Sequence, residues 1–335
     1  MSKRGITVAG SLIADQFFEI DTYPAQGFLT NVRDKSMNVG GTGNIILDLA
    51  KLDKNLTVKA CAVIGDDERG VGIREIFSRY PNIDIDNITI EGDSATCMVM
   101  NAKDTKQRTF FFISGSSDVF DINYINWDTV DTKIFLLEYL LLLKKVDEFD
   151  DEYGTHAARI LHEAQKRGML TSIDIVSEQS ERAKTIVKSA LKYTDICCIN
   201  ELEAEMVTGI KLETNCKFTS EKMLEAMKKI KEFGVSKWIV IHASDFGYGY
   251  DCETEELFYL PSLDVPTEYI KGKNGAGDAY CSGILYAAHE DKSLWEALNL
   301  ARCCATASLS ENNGTDGMRP VGEVINLSNK FPQKA

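Results

Sequence analysis

The chain has 335 residues, 44% of them apolar, which is enough for one large α/β domain or two small ones around a real core. Its formal charge of -14 excludes a broadly basic nucleic-acid surface, although an acidic protein can still carry a local cationic pocket. The longest nearly apolar run, Ile134 to Leu143, has ten residues and contains Glu138, so it falls short of the ~20 residues of a membrane-spanning helix and reads as a buried strand.

From the N-terminus, MSKRGITVAG has two basic residues but no apolar stretch long enough for a signal peptide before Asp15 and Glu19, so a cytoplasmic chain is expected. ITVAGSLI (6–13) reads as the first strand. Two stretches, 15–37 and 94–117, break the strand–helix rhythm and read as antiparallel strands and turns with one polar face. Together they are expected to form a small sheet covering one edge of the core. Between them lie Gly40, Gly41 and Asn44, the helical stretch ILDLAKL and the buried strand VKACAVIG (58–65). KIFLLEY (133–139) carries Glu138 at the end of an apolar strand, where a carboxylate is costly unless it lines a pocket or pairs with a basic residue.

In THAARILHEAQKRG, Thr155 is the expected N-cap and Gly168 the stop. TSIDIV (171–176), DICCIN (195–200) and WIVIHAS (238–244) are further strands. SEKMLEAMKKIKEFG repeats the helix design, with Ser220 as cap and Gly234 as stop, and SLWE from Ser293 has the spacing of a capping box. This alternation predicts an α/β fold with a doubly wound, mostly parallel central sheet, whose ligands bind beyond the carboxyl ends of its strands. Nine cysteines without C-x-x-C imply neither a zinc site nor a disulfide framework, and four histidines without H-x-x-x-H spacing give no histidine-rich metal site.

Near the C-terminus, KGKNGAGDAYCSG crowds four glycines around Asp278. It is not a Walker A loop, because Gly272-Lys273 is followed by Asn274 and the first glycine is missing. Nor is there a dinucleotide fingerprint: Gly41-Thr42-Gly43 is followed by Asn44, Ile45 and Ile46. What remains is G-A-G-D opening a helix, where glycines let successive N–H groups converge and the helix end adds about half a positive charge. Asp278 is then either an inert helix-start carboxylate or a reactive group beside an anion site. The small residues Ala279, Cys281, Ser282 and Gly283 let that helix end approach its neighbours and a ligand.

Gly40-Gly41 with Asn44 and Leu49-Ala50-Lys51-Leu52, then Asn200-Glu201-Leu202-Glu203, then G-A-G-D-A-Y resemble, in this order along the chain, the signature segments of the ribokinase-like, or PfkB-type, sugar kinases. The resemblance covers nearly all 335 residues as a single domain. It implies a three-layer α/β/α fold in which the two irregular stretches form a β lid. It also implies that Asp278 is the base that takes the proton from a sugar hydroxyl. The backbone of Gly275, Ala276 and Gly277 would form the anion hole, and Asn200 and Glu203 would hold magnesium against the ATP phosphates. Asp15, Gly40, Gly41, Asn44 and Glu138 would bind the sugar. Ser244 and Gly247, where the family has Thr-x-Gly, would contact the nucleotide, as would Asn313.

Taken alone, each of these residues also has a plain reading. Asp15 begins a turn, Asn44 caps a helix, Asn200 ends a strand, and Glu203 is a solvated helix glutamate. The chain departs from the family in two places. Only Thr42 and Gly43 separate the glycine pair from Asn44, where three residues are usual. Gly272-Lys273-Asn274 replaces Asp-Thr-Thr, which leaves a monovalent-cation site open and makes Lys273 either a phosphate contact or a solvated side chain. The expected activity is ATP-dependent phosphorylation of a hydroxymethyl group on a small sugar such as ribose or fructose. A nucleoside kinase and a non-catalytic sugar or nucleotide sensor are the alternatives. Lid edges have unpaired backbone, so a homodimer through the lid is expected, with Phe110-Phe111-Phe112 packing either in that clasp or on their own core.

Overall fold

The structure, a computed structural model, describes residues 4–178, 180–214 and 217–334. The strand expected over 6–13 divides at Ser11, with β1 (Ile6–Gly10) in the central sheet and β2 (Leu12–Ile20) in a separate one. The cause is steric. Gly10 has φ 137°, and a Cβ there would overlap the Glu138 carbonyl oxygen, so the chain turns where only glycine fits.

β3 (Val32–Gly41) returns antiparallel along β2 and runs directly into α1 (Thr42–Leu52). β4 (Val58–Ile64), α2 (Glu68–Phe77) and β5 (Ile83–Ile90) follow. β6 (Thr96–Ala102) and β7 (Arg108–Ile113) complete a four-stranded lid sheet in the order β3-β2-β6-β7. These strands occupy the two irregular stretches, but β2 and β3 extend past them, and β2 pairs with β6 in parallel rather than antiparallel. The chain crosses from β3 to β6 through the central sheet, and that detour allows the parallel pairing.

The second half runs through β8 (Ile134–Leu140), the short pair β9 (Phe149–Asp150) and β10 (Gly154–Thr155), α3 (His156–Lys166), β11 (Leu170–Ile175), α4 (Glu181–Leu191), β12 (Ile196–Asn200) and α5 (Glu201–Thr208). The short pair β13 (Glu213–Thr214) and β14 (Lys217–Phe218), α6 (Ser220–Phe233), β15 (Trp238–His242), β16 (Phe246–Asp251), β17 (Leu257–Pro261), α7 (Ala276–His289) and α8 (Leu294–Ser308) follow. The central sheet has the order β17-β16-β15-β12-β11-β8-β1-β4-β5. Its pairs are parallel from β15 to β5, and β16 and β17 form an antiparallel edge.

Alternation along the strands supplies both faces of this sheet. Ile6, Val8, Leu136 and Val240 pack with α1, α7 and α8, whereas Ala9, Phe135, Leu137 and Ile241 pack with α3, α4 and α6. The result is a three-layer α/β/α core. The strand order reverses between β1 and β8, because β4 and β5 extend one side and all later strands the other, which opens a crevice at their carboxyl ends.

Local signals set the helix ends. The Thr155 hydroxyl accepts from the Ala158 N–H to start α3, Gly168 follows its end with φ 75°, and Ser293 with Glu296 forms the capping box of α8. One cap shifts by a residue. Thr219, not Ser220, accepts from the Lys222 N–H, and Ser220 is the first helical residue of α6. Gly234 ends that helix with φ 127°. Among the described residues, no helix is long and apolar enough to cross a membrane.

Candidate active site

α7 begins where two loops meet. Gly275, at its N-cap, has φ 71°, and a Cβ there would lie 2.5 Å from the Cα of Gly314. Both the conformation and the close approach require glycine. At Gly277 the nearest atom to such a Cβ would be His242 Cε1, at an ordinary 3.6 Å. Packing therefore does not demand a glycine at 277; its absence of a side chain leaves bare backbone facing a cleft. The first N–H groups of a helix have no carbonyl one turn earlier, and here they carry the positive end of a 14-residue helix.

Asp278 stands in that first turn. Its Oδ1 accepts from the Tyr139 hydroxyl at 2.6 Å and its Oδ2 from Asn44 Nδ2 at 2.8 Å. Burial raises its carboxyl above the usual range, and the two hydrogen bonds oppose that shift. Carboxylate oxygens of Glu138, Asp174 and Asp278 lie within 4.8 Å of one another. Glu138 is wholly buried, and burial together with Asp174 and Asp278 pushes its carboxyl well up. The Asp174 carboxyl moves the same way, through burial and then through Asp278 and Glu203.

Asp15 approaches from β2, opposite Asn38 of β3. A Cβ on Gly40 would overlap its carboxylate, so the glycine makes room for the acid. Burial first and Asp278 second push Asp15 up to about 7. Glycine at 41 answers another need: with φ 57°, its Cβ would overlap the Ser11 carbonyl oxygen.

Across the cleft, Asn200 ends β12 and caps α5. Its Oδ1 accepts from the Glu203 N–H at 2.9 Å, while Glu203 Oε2 accepts from the Asn200 N–H at 2.9 Å. Ser177 ties the pair from the side, its hydroxyl donating to Glu203 Oε1 at 2.8 Å and accepting from Asn200 Nδ2 at 3.1 Å. Glu203 is only 5% exposed, which removes the reading of a solvated glutamate, and burial pushes its carboxyl up to about 7.

A cleft of about 570 Å³ joins these parts, lined by Asp15, Asp174, Asn200, Glu203, Gly277 and Asp278 among others. No lysine or arginine is among its described lining residues. His242, stacked on Tyr280 at 4.8 Å between centroids, is pushed down to about 4 by burial and is neutral at pH 7.

Residues 5–320 match the profile of the pfkB family carbohydrate kinases. The chain belongs to that family. It is therefore a carbohydrate kinase, a phosphotransferase with an alcohol group as acceptor. Ribokinase of Dictyostelium discoideum is 22% identical over 97% of this chain and 100% of its own length, and that of Arabidopsis thaliana 22% identical over 96% and 80%. The structure of the Arabidopsis ribokinase complexed with ribose and ATP covers 97% of this chain and 99% of its own at TM-score 0.80 and 20% identity. A nucleoside kinase of Methanocaldococcus jannaschii, an archaeal member of the ribokinase family, covers 98% and 100% at TM-score 0.73 and 15% identity. At such identities the likeness of the solved structures is one of fold.

Within this pfkB-family chain the structure gathers Asp15, Gly40, Asn44, Glu138, Asn200, Glu203, Gly275, Ala276, Gly277 and Asp278 around the crevice between β1, β8, β12 and α7. Three other predicted residues stand outside the Asp278 cleft. The Ser244 carbonyl accepts from Lys334 Nζ at 3.1 Å, and glycine at 247 leaves room for the Tyr280 hydroxyl. Asn313 folds onto its own loop, donating to Asp316 Oδ2 at 2.6 Å, and lines a second cleft under the lid with Glu19, Asn38 and Lys51. Sequence reasoning missed Tyr139, Asp174 and Ser177. An acid near the end of a buried strand, the signal used for Glu138, also marks Asp174, though less sharply because β11 carries Thr171 and Ser172 as well; Tyr139 and Ser177 carry no local signal.

Proposed function

We propose that this kinase transfers the γ-phosphoryl group of ATP to a hydroxymethyl group of a small sugar of the ribose or fructose class. The observation that carries the reading is Asp278 in the first turn of α7, held by Tyr139 and Asn44 beside the bare backbone of Gly277. In this reading the sugar hydroxyls bond Asp15, Asn44, Glu138 and the Gly40-Gly41 backbone. The acceptor hydroxyl gives its proton to Asp278 as its oxygen bonds the γ-phosphorus, the bridging P–O bond breaks, and ADP leaves. N–H groups of Gly275, Ala276 and Gly277 stabilise the transferring oxygens, which suits a reaction that needs positioning and charge stabilisation more than covalent help.

The residues fit magnesium as well. Each Glu203 oxygen accepts one hydrogen bond and keeps a further lone pair, and hard oxygen donors suit an ion that retains several waters. When bound, magnesium supplies the positive charge that a triphosphate needs in a cleft walled by carboxylates. The ribose and ATP named for the Arabidopsis structure support both substrates. A second copy would cover the exposed Phe111 and Ile113 of the edge strand β7, giving a dimer through the lid. Light scattering that returns the monomer mass at micromolar concentration removes the dimer from this proposal.

ADP formation from magnesium ATP, measured across ribose, fructose, deoxyribose, adenosine and cytidine, tests the assignment. ADP formed with a free sugar is the expected result. ADP formed only with nucleosides moves the acceptor to the class named for the Methanocaldococcus relative, and no acceptor-dependent ADP in a panel widened to other sugars favours a sensor.

A further inference from the structure

Asp278 is crowded by acids and has no cationic partner among the described residues of its cleft. Asp15 of β2, Asp48 of α1, Glu138 of β8 and Asp174 of β11 are all within electrostatic range of it. Lys51 acts on Asp48, and the neutral His242 of β15, Cys198 of β12 and Cys281 of α7 complete the surroundings. A base in this setting loses its charge unless something stabilises the carboxylate.

Two neutral donors meet it, and one of them, Asn44, already has an expected place in sugar binding. The other, Tyr139, follows Glu138 on β8 and lines the cleft with its hydroxyl 2.6 Å from Asp278 Oδ1. An O–H donor at that distance to an ionised oxygen makes one of the stronger hydrogen bonds available to a protein. We propose that Tyr139 is a positioning residue that holds the Asp278 carboxylate ionised and fixes its plane, so that its free lone pairs face the acceptor hydroxyl. A phenol suits the task better than a lysine or arginine. It adds no positive charge that pairs with the base outright or draws the phosphate onto it. Its own proton is held firmly, since burial and the surrounding acids raise the Tyr139 hydroxyl well above its ordinary range. The inference rests on reading Asp278 as the base.

The test uses the full chain labelled with aspartate carrying ¹³C at Cγ, titrated by NMR, with the Asp278 signal assigned by its loss in Asp278→Asn. Tyr139→Phe keeps the ring and removes the hydroxyl; Tyr139→Met removes it with an adaptable side chain, and circular dichroism checks both folds. The Asp278 titration should move to higher pH by about one unit or more in the folded variants, the shift expected on losing a hydrogen bond to a charged group. A titration unchanged to within a few tenths of a unit overturns the proposal and leaves Tyr139 a packing residue, which affects stability without touching Asp278. Turnover of Asp278→Asn reads the base assignment separately: if that variant retains turnover while Tyr139→Phe shifts the titration, the base is wrong and the hold on its carboxylate stands.

Discussion

Asp15 has its carboxyl raised from 3.8 to about 7, by burial first and by Asp278 second. A group whose folded pKa exceeds its unfolded value favours folding at low pH and loses that contribution as pH rises through the folded pKa. At pH 8, therefore, ionised Asp15 costs stability, on the order of 2–4 kcal/mol. Asp15→Asn should raise the thermal midpoint at pH 8 by several degrees and by much less at pH 5; an equal change at both would contradict the burial account. The same variant should weaken acceptor binding, since the charge that burdens the fold is the one assigned to the sugar. Residue positions were legible where spacing binds them to one backbone feature. Asn200 and Glu203 form a capping box, and Asp278 follows glycines that open α7. Tyr139 and Ser177 act through contacts made by distant strands, which no local pattern records. The turn by which Asn313 folds back on Asp316 has no local signal either.

Helices α7 and α8 pack so closely that a Cβ on Gly283 would lie 2.6 Å from the Cα and 2.9 Å from the N of Ala301. Those are backbone atoms, which cannot step aside. Gly283→Val should cost about 1–3 kcal/mol as overpacking and move α7 together with Asp278. Thermal unfolding and turnover should both fall; a wild-type midpoint would show that the two helices have slack. The sequence carried this closeness as a cluster of small residues, and it carried the caps of α3 and α8 through Thr155, Ser293 and Glu296. Between Thr219 and Ser220 it had no means of choice, because adjacent hydroxyls are equally good caps and the entry path of the chain decides. The break between β1 and β2 was hidden in a continuous apolar run, and Gly10 acquires its meaning only against the Glu138 carbonyl.

For the molecule as a whole, the layered fold followed from alternation of apolar strands and amphipathic helices, and the strand-order reversal between β1 and β8 locates the crevice. The parallel pairing of β2 with β6 was not legible, since it joins strands separated by α1, β4, α2 and β5. The antiparallel edge of β16 and β17 was not legible either, since it joins β15, which itself pairs in parallel with β12. The proposed function makes one central claim, that the dipole end of α7 stabilises the phosphoryl group while Asp278 accepts the proton. Turnover of Asp278→Asn with magnesium ATP and the preferred sugar, measured beside ATP affinity, tests it most directly. Turnover should fall roughly 10²-fold or more with ATP affinity nearly unchanged, and turnover within about threefold of wild type would contradict the mechanism.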